Sequence, residues 1–416
     1  MNNSKLDISK RLKKYLSPQV FDLLVKCGIF IEENSANLFL VGGSLRDVLL
    51  NKSPKDIDLT LVNGNSELVE KLAAYIGGQI IFKSQFFTYK IQVKNSVIDI
   101  TEARKEIYSS PGSLPEITSK CSIDDDLYRR DFTVNSMALS LIPSKFGSVT
   151  DPFNGINDIN KKQIRIIHDN SFSDDPTRIL RAIRYSIRLN FKIDYKTLSK
   201  LNEFKNNINL ITGFRVKNEL IKIIREDSRS KILLSLHNLK IFDIIGLKIN
   251  INNQINKILD TFQFKKEYTD DLILIGILTY NLDIENIINI TEKLYLDSTY
   301  IKTLRDTQEI KLFLQNIKLD NLNNSSIYKS LNPYKDEAII INSYFSNTKV
   351  SNKLNLYLNK LKYSIPPLNG SEILSLGAKE GPRIKEIINE LLYDKLDGKI
   401  KNKNQAIIKV KQILNS

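Results

Sequence analysis

The sequence predicts an α+β protein: an α/β domain at the N-terminus, followed by a remainder that is all helical. Over the first 150 residues, short apolar segments of strand length alternate with helical patterns. From about Asp175 onward, apolar residues recur only every three or four positions, which is the spacing of a helix face. The length of 416 residues fits two to four structural units at roughly 150 residues each.

Turn and capping residues divide the N-terminal part into elements. Ser17 before Pro18 is typical of a helix start, and the pattern continues to roughly Val25. A short apolar strand at 38–41 leads into two glycines, and a short helix is expected from Ser44. The remaining elements predicted for this domain are a strand at 56–62, a helix at 66–75, and strands at 79–83, 87–94 and 97–101.

The C-terminal part is predicted to be helical throughout. Ile179, Ile183 and Ile187 lie four residues apart and would form the buried face of one helix. Further helical patterns cover 214–236, 251–263, 269–279, 283–295, 297–316 and 384–392.

Composition limits the classes of function. Lys and Arg number 61 against 47 Asp and Glu, a net charge of +14, which favours a polyanionic partner, although a biased composition explains it equally well. Two cysteines and two histidines exclude a disulfide framework, a cysteine-ligated zinc site and most histidine metal chemistry. Any catalytic metal must therefore be bound by carboxylates, which indicates Mg²⁺. No segment resembles a signal peptide or a membrane helix, so we expect a soluble, cytoplasmic protein without a membrane partner.

The most informative segment is residues 38–62, LFLVGGSLRDVLLNKSPKDIDLTLV. A strand that runs through Gly42 and Gly43 into a helix starting at Ser44 leaves backbone N–H groups unobstructed, and these suit a triphosphate. Arg46 adds a positive charge close by. We therefore predict that Gly42, Gly43, Ser44 and Arg46 bind phosphate.

The same segment ends in paired carboxylates. Asp56 and Asp58 lie two residues apart on the predicted strand, so both side chains leave the same face. Such a pair can bind two Mg²⁺ ions that activate an attacking hydroxyl and stabilise a departing pyrophosphate. Asp99, in the later strand VIDI, is the natural third carboxylate, although an acidic residue near a hairpin is also commonplace. These three residues are the predicted catalytic group.

Four further motifs follow in order: RRDFTVNSMAL at 129–139, DPFNGINDI at 151–159, DDPTRILRAIR at 174–184 and FRVKNELIKII at 214–224. With the first block, and with NGSEILSLGAKEGPRI at 369–384, the chain resembles the class II tRNA nucleotidyltransferases. This is the family of CCA-adding enzymes and bacterial poly(A) polymerases, within the polymerase-β-like superfamily. The resemblance implies a catalytic nucleotidyltransferase head over 22–150, a helical neck with base recognition over 151–236, and a tRNA-binding helical body and tail over 237–416.

The resemblance also implies roles for single residues. Arg129, Arg130 and Asp131 would contact the ribose and phosphates of the nucleotide, and Asn135 would help to hold that segment. Asp175, Arg178 and Arg181 fall in the base-templating motif.

The templating role agrees with base chemistry. An aspartate accepts and an arginine donates hydrogen bonds, so Asp175 and Arg178, three apart on one helical turn, would suit cytosine and adenine. Guanine and uracil would leave groups unpaired, at about 1–3 kcal/mol each. The alternative is an ordinary ion pair between these two residues within one helix.

Two positions depart from the family pattern, and one segment bears on specificity. The templating motif starts with Asp174 where the family usually has Glu, and Phe214 stands where the neck motif usually has Glu. The segment from Arg104 to Asp126 occupies the position of a flexible loop that, by the resemblance, A addition requires. A proline- and glycine-containing surface loop is the alternative.

The sequence thus predicts a Mg²⁺-dependent enzyme that adds CMP and AMP from CTP and ATP to the 3′ end of tRNA, with release of pyrophosphate. An A-adding-only tRNA nucleotidyltransferase and a poly(A) polymerase stay open, and a catalytically inactive RNA-binding protein is a remote alternative. The shortage of histidines opposes an added phosphohydrolase domain. The sequence indicates no protein partner.

Overall fold

The computed structural model describes residues 8–264, 267–317 and 322–415, and it divides into two compact units. The first contains the chain up to Glu219 together with Asn238–Ile245, and the second contains Leu220–His237 and the chain from Gly246 onward. A mixed sheet in the first unit and helices in the second confirm the α+β class.

All eleven described strands belong to the first unit. They are β1 (Asn37–Val41), β2 (Asp58–Val62), β3 (Gln79–Lys83), β4 (Thr88–Val93), β5 (Ser96–Glu102), β6 (Arg104–Ile107), β7 (Glu116–Ser119), β8 (Ala138–Ser140), β9 (Val149–Thr150), β10 (Gln163–Ile164) and β11 (Lys192–Ile193). Seven form one sheet in the order β3-β4-β5-β2-β1-β8-β9, in which only β2 and β5 run parallel. Two small sheets, β6-β7 and β10-β11, complete the set.

Ten helices precede residue 225. They are α1 (Ile8–Tyr15), α2 (Pro18–Glu33), α3 (Gly42–Leu49), α4 (Ser66–Tyr75), α5 (Ile123–Tyr128), α6 (Gly155–Lys161), α7 (Ser171–Asp174), α8 (Thr177–Leu189), α9 (Tyr195–Phe204) and α10 (Gly213–Ile224).

Twelve more described helices follow, and no strand is found among the described residues beyond 193. They are α11 (Arg229–Asn238), α12 (Ile241–Ile244), α13 (Asn253–Thr261), α14 (Glu267–Thr279), α15 (Ile284–Lys293), α16 (Ser298–Asn316), α17 (Asn324–Leu331), α18 (Asp336–Phe345), α19 (Thr348–Asn359), α20 (Gly370–Ser375), α21 (Pro382–Leu396) and α22 (Lys403–Asn415).

One face of the large sheet forms the core of the first unit. Alternate residues of the central strands, such as Leu59 and Ile100, are at most 1% exposed. Helices α2 and α4 pack against this part of the domain and bury residues such as Leu24 and Leu72. The opposite face carries the polar side chains of β2, β4 and β5, which leaves it available for chemistry.

Two predictions about helix boundaries are corrected. The helix predicted from Pro18, α2, continues to Glu33 rather than Val25, because Cys27 and Ile31 extend its buried stripe. The single helix expected over 214–236 is two helices, α10 and α11. The Arg229 side chain donates to the Ile224 carbonyl at 2.8 Å and so satisfies the end of α10 at this break.

The segment from Arg104 to Asp126, expected to be a loop, contains regular structure. Strands β6 and β7 pair as an antiparallel hairpin, and helix α5 follows them. Ser122 and Asp125 form a reciprocal capping box at the start of this helix.

Gly28 supplies a test of the packing between α2 and the sheet. A Cβ atom at this position would lie 1.9 Å from the carbonyl oxygen of Leu141, which is backbone and cannot move aside. We expect Gly28→Ala to destabilise the protein by about 1–3 kcal/mol, measured by urea unfolding. The control is Gly370→Ala, whose nearest neighbour would lie at 3.7 Å, and equal midpoints for both variants would contradict the prediction.

Candidate active site

The predicted carboxylates lie together where β2 begins beside β5, and we call Asp56, Asp58 and Asp99 the carboxylate edge. Asp58 is the first residue of β2, and its register partner on the parallel strand β5 is Asp99. Asp56 lies two residues before β2, outside the strand, so the prediction that both acids of this pair stand on one strand is wrong for Asp56. Asp56, Asp58 and Asp99 nevertheless line the same cleft, which has a volume of about 490 Å³.

Ser44 connects the glycine turn to these acids. Its Oγ accepts a hydrogen bond from the Asp58 backbone N–H at 2.8 Å and donates one to the Asp56 carbonyl oxygen at 2.9 Å. Gly42 begins α3 with a φ of +64°, a conformation that favours glycine. A Cβ there would lie 3.0 Å from Arg130 Nη1 and 3.6 Å from Asp58 Oδ2. The absence of a side chain at Gly42 therefore keeps the space between this arginine and this acid open.

Burial and charges of both signs act on the Asp58 carboxyl. Burial raises the pKa of this carboxyl, and the charges of Asp99 and Asp56 raise it further, while Arg130 opposes them. Within residues 8–264, 267–317 and 322–415, no three His, Cys, Asp or Glu side chains are close enough to surround one metal ion. Magnesium is commonly bound by only one or two carboxylates, with water and substrate phosphates as its other ligands. Asp56 and Asp58 fit that mode of binding.

Two arginines of the cleft are held by one buried acid. Asp126, in the first turn of α5, accepts from Arg129 at 2.7 and 2.9 Å through Oδ1 and from Arg130 at 2.8 Å through Oδ2. Burial alone would raise the pKa of Asp126, but the two guanidinium groups lower it to about 2. Asp126 is not among the predicted site residues, although an acid three positions before one arginine and four before the next is a recognisable signal for such ion pairs.

A second series of polar contacts holds the 129–139 motif in position. Arg46 is buried and donates to Asp47 at 2.7 Å and to Asn135 Oδ1 at 2.6 Å. Asn135 donates in turn to Asp131 Oδ1 at 2.9 Å, and Asp131 Oδ2 accepts from Arg181 at 2.6 Å. Burial would raise the pKa of Asp131, but the neighbouring Arg181 charge holds it at about 2. Arg46 thus lines the predicted phosphate site while its side chain supports Asn135.

The pair expected to select the base lies in the same cleft. Asp175 adopts an extended backbone conformation before α8, so it does not share a helical turn with Arg178 as the sequence predicted. Its ion pair is with Arg215, at 2.6 Å, rather than with Arg178. Arg178 donates to Ser171 Oγ at 2.8 Å and to the Arg129 carbonyl at 2.7 Å. The ordinary intrahelical ion pair, the alternative to base selection, is not what this segment forms.

The residues between β6 and β7 form the hairpin tip, and a hydrogen bond connects this tip to Arg215, the ion-pair partner of Asp175. Arg215 Nη1 donates to the Gly112 carbonyl at 2.9 Å, and the Gly112 N–H donates to the Ser173 carbonyl at 3.1 Å. Tyr108, near the tip, also lines the cleft, and its hydroxyl donates to Glu106 at 2.9 Å. Tyr108 was missed, because an aromatic residue in an expected loop gave no signal.

Tyr185 was also missed. Its ring lies near three arginines, with Arg46, Arg181 and Arg184 at 4.9–5.9 Å from its centre, and it lines the cleft.

Of the two departures from the family pattern, Phe214 is 54% exposed and lies beneath Lys217. Asp174 lies 3.9 Å from His168. Neither departure touches the carboxylate edge.

Two family models and several solved structures match this chain. Residues 38–165 match the model described as the poly A polymerase head domain, and residues 190–248 match the probable RNA and SrmB-binding site of polymerase A. An apo CCA-adding enzyme structure superposes with a TM-score of 0.80 at 26% identity, covering 98% of this chain and 99% of that one. The chain belongs to the tRNA nucleotidyltransferase and poly(A) polymerase family.

Relatives within this family differ in what they add. The A-adding tRNA nucleotidyltransferase of Halalkalibacterium halodurans is 29% identical over 94% of this chain and 92% of its own length. The CCA-adding enzyme of Staphylococcus haemolyticus is 24% identical over 91% and 94%. The Thermotoga maritima CCA-adding enzyme, solved with tRNA, superposes with a TM-score of 0.74 at 25% identity over 98% of each chain. Within the described residues, no helix is long and apolar enough to cross a membrane.

The role of Asp126 in holding Arg129 and Arg130 can be tested by substitution. Asp126→Asn removes the charge that compensates two guanidinium groups, so we expect a loss of about 3 kcal/mol of unfolding free energy at pH 7. Because its folded-state pKa is lowered from 3.8 to about 2, the stabilisation is present above pH 4 and lost as the pH falls through 2. Urea unfolding should therefore show the difference from wild type narrowing between pH 4 and pH 2.

The matched control is Asp124→Asn, which changes an exposed acid two positions earlier on the same helix. It should leave stability nearly unchanged at every pH. A difference between Asp126→Asn and wild type that does not vary with pH would contradict the assigned role of this carboxylate.

Proposed function

We propose that the chain is a tRNA nucleotidyltransferase that adds CMP and AMP to the 3′ end of tRNA, using CTP and ATP and releasing pyrophosphate. The observation that carries this proposal is a single cleft. It joins the carboxylate edge, the glycine turn and the Asp175–Arg178 pair. A nucleotide whose phosphates lie at the glycine turn can place its base at this pair, because all of these residues line one cavity.

The carboxylates suit the transfer step. When Mg²⁺ is bound by Asp56 and Asp58, it supplies activation of the attacking 3′-hydroxyl and neutralisation of the departing charge. Ser44 fixes the backbone on both sides of Ile57 and so sets the direction of these acids. Arg130, held by Asp126, lies across Gly42 from Asp58 and presents positive charge to the phosphates. Asp99 completes the acidic edge from the neighbouring strand.

Base selection rests on an oriented carboxylate. Asp175 Oδ1 accepts hydrogen bonds from Arg215 and from the Thr177 N–H and hydroxyl, at 2.6–3.0 Å. Among the described residues, Oδ2 has no hydrogen bond, so it is available to the amino group of cytosine or adenine. Arg178 supplies the donor for the adjacent ring nitrogen.

The domain roles follow the same proposal. Residues 22–150 form the catalytic head, 151–236 the neck that selects the base, and 237–416 the body and tail that bind tRNA. The chain's excess of positive charge suits phosphate contacts with the RNA, and such contacts would make binding salt-dependent.

A-only addition is the second candidate. Its support is the 29% identity to the A-adding relative, against 24% to the CCA-adding relative, over similar shares of the chain. Purified protein should be given tRNA lacking CCA, tRNA ending in CC, and an unstructured RNA, with labelled CTP and ATP separately and together. Incorporation of both nucleotides into the first RNA means CCA addition. AMP on the CC-ended tRNA alone means A addition, and long tails on any RNA mean poly(A) synthesis.

Asp58→Asn tests the carboxylate edge. We expect incorporation of either nucleotide to fall at least about 1,000-fold, since the electrostatic contribution of such a group is of that size. The assay is radiolabelled nucleotide transfer to tRNA at saturating Mg²⁺. The exposed-acid variant Asp124→Asn should keep wild-type rates, and transfer by Asp58→Asn at a comparable rate would refute the role of Asp58.

Arg178→Ala tests base selection. Without this donor, a cytosine or adenine base loses a hydrogen bond that guanine and uracil never had, so discrimination against GTP and UTP should fall about 5- to 100-fold. The measurement is kcat/KM for each of the four nucleotides on the same tRNA. Arg178→Lys keeps the charge but changes the donor geometry and should recover only part of the selectivity. Unchanged ratios in both variants would rule out the role of Arg178.

A further inference from the structure

A row of four side chains crosses the large sheet through the carboxylate edge. Phe82 on β3 pairs with Lys90 on β4, directly after a register shift between Ile80 and Phe82. Lys90 is the partner of Asp99 on β5, and Asp99 is the partner of Asp58 on β2. Directly opposed residues on adjacent strands share one face of a sheet. An aromatic ring and an ammonium group therefore lie beside the predicted catalytic acids, on the same face.

The outer half of this row is accessible. Phe82 is 50% exposed, and the Lys90 side chain is 45% exposed while its Nζ contacts Asp99 Oδ2 at 2.6 Å. Val97, two residues before Asp99 and on the same face, is 38% exposed. The opposite face of these strands is the core, where Ile91 and Ile98 are fully buried. The exposed ring is thus placed on the reactive face and is not a displaced core residue.

The order of the strands indicates which substrate, the nucleoside triphosphate or the RNA, lies over β5, β4 and β3. The glycine turn that suits phosphates follows β1, which borders β2 on the side away from β5. In nucleotidyl transfer the attacking and leaving oxygens lie roughly in line on opposite sides of the phosphorus. If pyrophosphate leaves on the β1 side, the hydroxyl must approach from the side of β5, β4 and β3.

We propose that Phe82 and Lys90 bind the last two nucleotides of the RNA 3′ end, with Phe82 stacking on a base and Lys90 contacting a phosphodiester. This inference rests on the proposed function. At roughly 4.8 Å per strand, Phe82 lies about 10 Å from Asp99 and about 14 Å from Asp58, within the span of two nucleotides. Any base can stack on an aromatic ring. This tolerance is needed because the terminal base of the RNA is first C and then A as nucleotides are added. Lys90 exchanges its contact with Asp99 for the phosphate when RNA is bound.

Kinetics with separate substrates test this surface. Phe82→Ala and Lys90→Ala should each raise the KM for tRNA about 5- to 50-fold, while the KM for ATP stays within about twofold. Phe82→Trp and Lys90→Arg should restore most of the affinity for tRNA. Matched controls are Tyr195→Ala, which removes an 87% exposed ring elsewhere in the same unit, and Lys94→Ala, which removes a charge at the β4–β5 turn.

A binding measurement without chemistry separates this inference from the proposed function. RNA minihelices carrying 2-aminopurine as the terminal or penultimate base should lose fluorescence on binding to the wild-type protein, because stacking quenches that base. With Phe82→Ala the quenching should disappear. If wild-type protein transfers nucleotides but neither probe is quenched, or if both variants match their controls in KM for tRNA, the RNA surface is refuted. No transfer by wild-type protein would refute the proposed function itself. A Phe82→Ala variant altered only in self-association, measured by ultracentrifugation, would assign the β3 edge to protein contact and overturn the proposal.

Discussion

The parallel pairing of β2 with β5 is the constraint on which the site depends. It places Asp58 directly beside Asp99, although 41 residues separate them along the chain. One residue of slip would turn Asp58 toward the core and bring a leucine or isoleucine to the reactive face. The buried residues Leu59, Leu61, Ile98 and Ile100 oppose that slip, so the same hydrophobic packing that folds the head also fixes the spacing of the acids.

The arginines of the cleft are held in position by buried carboxylates. Each buried carboxylate that lacks solvent, Asp126 or Asp131, is compensated by guanidinium groups, and this keeps its pKa near 2. Removing such charges from water is costly, and the pairing recovers that cost only when the geometry is good. Removing either acid would leave a guanidinium charge uncompensated, so the two acids are needed to hold Arg129, Arg130 and Arg181 at the wall of the cleft.

Much of the head could be predicted from the sequence because its signals are local. Alternating apolar residues, the glycine pair and the Asp-x-Asp spacing each lie within a few residues, so β1, α3 and β2 were placed nearly correctly. Contacts between distant segments could not be predicted. The strand start at Asp58 depends on its pairing with β5, and the pairing of β6 with β7 turned an expected loop into a hairpin. Asp175 was placed on the wrong side of a helix boundary because its ion pair partner, Arg215, lies 40 residues away.

Arg215 joins three separate segments of the chain around Asp175. Its Nη2 donates to Asp175, while its Nη1 donates to the carbonyl of Gly112 at the hairpin tip. One planar guanidinium joins both contacts, so a shift of the hairpin tip changes the direction from which Asp175 is held. The three donors on Asp175 Oδ1 orient the carboxylate, and Oδ2 keeps its direction only while they persist. Under the proposed function, base selection would therefore depend jointly on α10, on the hairpin and on the start of α8.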